Sequence, residues 1–152
     1  MDKSTKRILA GFYVFLTSLP GPLLLLTYKT ITNYNPNYSL SLFSQRSNIA
    51  VILATYAFTM LGFLAAVIAI LLGFSQTKTF REYKKNEYLD IFFTIYFYCI
   101  LILALTFLCS ILSLSSSSAE IFMRAALALA ANSIVLVAII SAAIINICRK
   151  SL

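Results

Sequence analysis

The chain has 152 residues, 61% of them hydrophobic and only 11% charged, with three cysteines and no histidine. Apolar residues gathered in runs of ~20 or more exclude a soluble globular domain, and the lack of histidine or of an acidic residue deep in any run argues against proton-relay pumping. The net charge of +7 follows from where the basic residues lie between the runs, so it does not point to direct nucleic-acid binding.

Four apolar runs cover about residues 8–28, 48–74, 91–114 and 121–148. Each reaches the ~20 residues that cross ~30 Å of hydrocarbon. They predict an all-α integral membrane protein with four transmembrane helices in one membrane domain, joined at about 29–47, 75–90 and 115–119. Nine of the twelve basic residues fall before the first run (Lys3, Lys6, Arg7), in the central connection (Lys78, Arg81, Lys84, Lys85) or after the last run (Arg149, Lys150). Lys29, Arg46 and Arg124 are the other three. Lys and Arg near span ends stay on the cytoplasmic side. Both termini and the central connection are therefore expected in the cytoplasm, and the other two connections on the outer side of the membrane.

A basic tail before the first run raises the alternative of a signal peptide. No small-x-small cleavage site follows Ile8 to Leu16, and apolar character resumes at Leu23 to Leu26, so an uncleaved span is expected. Within it, Pro20-Gly21-Pro22 removes two backbone donors and must kink or break the helix. The freed carbonyls need neighbours or water, with Tyr13, Thr17 and Ser18 close in sequence. The irregularity serves either packing or a broken-helix transport site. Beyond the span, Thr32 to Ser39 is rich in turn-forming residues and predicts a compact surface loop. Its Asn37-Tyr38-Ser39 matches a glycosylation acceptor, a pattern too short to carry weight.

Runs two and four contain small-xxx-small pairs that let helix backbones approach closely: Gly62 with Ala66, Ala69 with Gly73, Ala126 with Ala130, and Ala138 with Ala142. These faces meet helices of the same chain or of another copy, and a homo-oligomer is expected. In the central connection, Lys78, Phe80, Arg81, Tyr83, Lys84 and Lys85 mix cations with aromatics. That segment either anchors on membrane lipid or docks a cytosolic protein. The cysteines, Cys99, Cys109 and Cys148, avoid the outer connections and so offer no extracellular disulfide framework.

The third connection is so short that runs three and four must form a helical hairpin. Ser117 and Glu120 fit a capping box, and Glu120 with Arg124 has ion-pair spacing. Asn132, near the middle of run four, must face protein or water rather than lipid. It either makes a cross-helix hydrogen bond or, with Ser133, Ser141 and Asn146, lines a permeation path. No catalytic set, phosphate-binding loop or metal cluster accompanies these features, so neither an enzyme nor a bound cofactor is expected.

With its four spans, inward termini, small soluble mass and the run Phe80-Arg81-Glu82-Tyr83-Lys84-Lys85 leading to Asp90-Ile91-Phe92-Phe93, the chain resembles small membrane subunits of bacterial anti-phage defence systems, especially the KwaA proteins of the Kiwa system. That resemblance implies an inner-membrane oligomer that detects infection and works with a cytosolic, KwaB-like effector. The reading adopted is a non-enzymatic sensor and scaffold subunit whose central loop docks that effector. A homo-oligomeric pore and an immunity protein against a pore-forming bacteriocin are the alternatives.

Overall fold

The structure, a computed structural model, describes residues 11–12, 15–34, 45–77, 80–81, 85, 88–115 and 119–151. Their long helices are α1 (Pro20–Tyr34), α2 (Arg46–Gly73), α3 (Tyr88–Ser115) and α4 (Ala119–Ser151). The last three contain segments long and apolar enough to cross a membrane, Arg46–Gly73, Tyr88–Leu114 and Ala119–Arg149. α1, with 15 residues, rises about 22 Å at ~1.5 Å per residue and falls short of a full crossing by itself.

The first predicted span departs from the expected 8–28. Residues 15–18 are helical, Leu19 is a bend, and the helix restarts at Pro20 and runs on to Tyr34. Residues 32–34, expected in a loop, are therefore helical. The threonine hydroxyls in this stretch find acceptors within the helix. Thr27 Oγ1 donates to the Leu24 carbonyl and Thr30 Oγ1 to those of Leu26 and Thr27, each at 2.9 Å.

α2, α3 and α4 pack around seams with alternating steps of three and four residues. On α2 the buried positions are Ala50, Leu53, Ala57, Leu64, Val67 and Leu71, with half-buried Met60 completing the series. On α3 the series includes Leu89, Phe92, Tyr96, Cys99, Leu103 and Thr106. A 3.5-residue repeat of this kind belongs to left-handed helix packing with knobs set into holes. α3 runs antiparallel to both α2 and α4 and shares its largest interface with α4. α1 touches α4 and no other of these helices.

Candidate functional site at the break in the first helix

Three consecutive residues make the break. A helix start leaves its first N–H groups without acceptors inside the helix. Pro20 and Pro22 have no N–H to satisfy, which leaves Gly21 as the donor among the first three positions of α1. From Leu23 onward the helix supplies its own acceptors, beginning with the Leu19 carbonyl at 3.1 Å. The Gly21 N–H donates instead to Asn132 Oδ1 on α4, at 2.7 Å in a buried contact. A side chain from another helix thus caps α1.

Only glycine permits this approach. A Cβ at position 21 would lie 2.5 Å from the Ala128 carbonyl oxygen and 3.0 Å from Asn132 Nδ2. On the other side of the break, Ser18 Oγ donates to the Phe15 carbonyl at 2.8 Å, not to the Leu16 or Ser18 carbonyl whose helical donor a proline removes. Thr17 is buried, and Tyr13 lies outside the described residues.

Ser133 follows Asn132 and points about 100° further round α4. Its hydroxyl donates to the Ala130 carbonyl at 2.7 Å, which uses its single hydrogen. The Tyr56 hydroxyl on α2, 3.0 Å from Ser133 Oγ, is therefore the donor in their contact. Two adjacent side chains on α4 hold two different helices. A third cross-helix bond runs from the Tyr96 hydroxyl of α3 to the Leu64 carbonyl of α2, at 2.9 Å.

These contacts decide among the sequence expectations. Asn132 makes the cross-helix hydrogen bond. The four residues considered as a pore lining do not converge: Asn132 and Ser133 are buried in contacts within the chain, Ser141 is half-buried and Asn146 is exposed. Ala126 and Ala130 are buried beside Leu53, so this small pair serves the chain's own packing. Gly62, Ala66, Ala69, Gly73, Ala138 and Ala142 are exposed. No atom lies within 4 Å of a Cβ built at Gly62 or Gly73.

Glu120 and Arg124 form the expected ion pair on the surface of α4, while Ser117 of the proposed capping box lies outside the described residues. In the central connection, Thr77 Oγ1 donates to the Phe74 carbonyl at 2.7 Å and accepts from the Phe80 N–H at 3.3 Å. This bracing seats Phe80 against the hydrophobic core, with Arg81 and Lys85 exposed. Lys78, Tyr83 and Lys84 lie outside the described residues.

Sequence reasoning missed Tyr56, Tyr96 and Ala128, and also a buried run of hydroxyls on α3. Thr106, Ser110 and Ser113 donate to the carbonyls of Ile102, Thr106 and Ser110 at 2.7–2.8 Å. Their spacing of four and then three was the available signal for the buried seam.

The family model of RexB, described as a membrane-anchored ion channel and Abi component, matches residues 9–151. The protein rexB of Escherichia phage lambda is 26% identical over 144 residues, covering 95% of this chain and 96% of that protein. No solved structure matches. The comparisons support a phage-defence-related membrane protein, the broader class expected from sequence; they do not show the resemblance to KwaA. Matched over nearly its whole length, the chain belongs to the RexB family of membrane proteins.

Proposed function

We propose that this chain is the ion-conducting membrane component of a phage-defence system, with the conduction path formed between copies. The match to a family described as an ion channel and Abi component carries this reading. Geometry bears on the location of the path. The mid-span polar residues Asn132 and Ser133 are engaged inside the chain, whereas the Gly62–Ala66–Ala69–Gly73 stripe of α2 and the Ala138–Ala142 pair of α4 are exposed. Small residues of this kind allow close contact between neighbouring membrane helices. The arrangement proposed has four crossings per copy, the first divided at Leu19, with both termini cytoplasmic in the inner membrane. The protein catalyses no covalent reaction in this account.

The test is ion flux from liposomes holding the purified protein. Potassium release that rises more steeply than linearly with protein-to-lipid ratio is expected. Tight vesicles with correctly inserted protein at every ratio would reject the channel reading.

A second reading, the sensor and scaffold role, draws on the exposed Arg81 and Lys85 beside a Phe80 anchored in the core. These residues offer a fixed basic surface to a cytosolic protein, and a family described as one component of a system has room for such a partner. Copurification from the native host, with Arg81 and Lys85 changed to Glu, tests it. Loss of a stoichiometric partner on charge reversal is expected; an unchanged set of copurifying proteins removes docking at this surface. Immunity to a bacteriocin draws no support from the family description.

A further inference from the structure

Between the first turns of α3 and the last turns of α4 lies a groove of about 310 Å³. Its walls are apolar, formed by Leu89, Phe92 and Ile95 on one side and Ile140, Ala143 and Ile147 on the other. Such a lining gives water too few hydrogen-bond partners to fill the space. The groove has a polar end. Asn146 also lines it, is exposed, and makes no hydrogen bond to another described residue. Arg149, likewise exposed, follows one turn later on α4, next to Asn146 at the flank of the groove-lining face. Lys85, three residues before Tyr88 at the head of the groove, is exposed too.

An apolar slot lined at one end by an amide, with exposed basic residues about one turn beyond it on α4 and before α3, is complementary to one molecule the bilayer supplies in quantity. We propose that the α3–α4 groove is a binding site for an anionic phospholipid. One acyl chain lies along Leu89, Phe92, Ile95, Ile140 and Ala143. The Asn146 amide donates to an ester or phosphate oxygen, and Arg149 donates to the phosphate. Charge sets the preference for an anionic lipid, because Arg149 and Lys85, exposed near this end, favour a headgroup with net negative charge. The site is independent of whether the protein conducts ions.

Native mass spectrometry of the full chain, released from mixed micelles containing equal phosphatidylglycerol and phosphatidylcholine, tests this. Wild-type protein is expected to retain phosphatidylglycerol preferentially. Arg149→Gln is expected to weaken that retention about fivefold, the effect of one basic residue at a lipid surface. Ala143→Trp, which fills the slot, is expected to abolish tight retention of both lipids. Arg149→Gln alters an exposed residue, so it keeps the test decisive if Ala143→Trp fails to fold. Equal retention of the two lipids by wild type would overturn the proposal, as would Arg149→Gln binding like wild type. A dimer that Ala143→Trp splits, without change in bound lipid, would assign the groove to a second copy instead.

Discussion

Gly21 and Asn132 act as one unit. The Gly21 N–H sits in the first turn of a helix, where no carbonyl of the same helix can accept it, so Asn132→Leu leaves a buried donor without a partner. That substitution is expected to cost about 1–3 kcal/mol. Gly21→Ala forces a methyl group against the Ala128 carbonyl and is expected to cost a similar ~1–3 kcal/mol. Each change undoes the same contact, so the double variant should cost clearly less than the sum. Unfolding titrations in mixed micelles give the comparison, and strict additivity would show that the two residues act separately. Tyr96→Phe makes a useful contrast. The Leu64 carbonyl lies within α2 and keeps its helical partner, so losing the Tyr96 bond should cost only about 0.6 kcal/mol.

Among whole helices, two kinds of small residue separate. Ala130 is buried beside Leu53, and Ala130→Leu should destabilise the chain by about 1–3 kcal/mol through overpacking. Ala66 is exposed, so Ala66→Leu should leave unfolding unchanged and, if copies meet on this face, lower the mass measured by light scattering in mild detergent. Unchanged stability for Ala130→Leu would contradict the packing described. Sequence could not distinguish these positions. Both lie in helices that are apolar all round, because lipid and protein interior accept the same side chains. The 3.5-residue seams were hidden for that reason and emerge only as a pattern of burial. Pro20-Gly21-Pro22, by contrast, was legible as a break, since proline removes donors whatever surrounds it. Its capping partner was not, because nothing local marks Asn132 as the side chain that reaches Gly21.

For the whole molecule, charge bias makes the orientation testable. Arg81, Lys85 and Arg149 cluster at one end of the bundle, whereas the Glu120–Arg124 pair lies at the other. With the three native cysteines replaced by alanine, Ser151→Cys should react with an impermeant maleimide only after the membrane is opened, and Glu120→Cys should react in intact cells. The reverse pattern would invert the topology. The three long apolar helices were legible because hydrocarbon thickness acts on composition alone. That the first apolar run would be divided at Leu19, with the restarted helix capped by Asn132, depended on a particular cross-helix hydrogen bond, which composition does not record.

The dependence of α1 on α4 also imposes an order on biogenesis. Gly21 and its acceptor are 111 residues apart, a stretch that takes roughly 6–22 s to synthesise at ~5–20 residues per second. For the later part of that interval α1 has left the ribosome while the surface that will receive it does not yet exist. The first helix made is therefore among the last to find its place, and its broken, donor-bearing end must be sheltered by lipid headgroups, water or the insertion machinery until the final helix arrives.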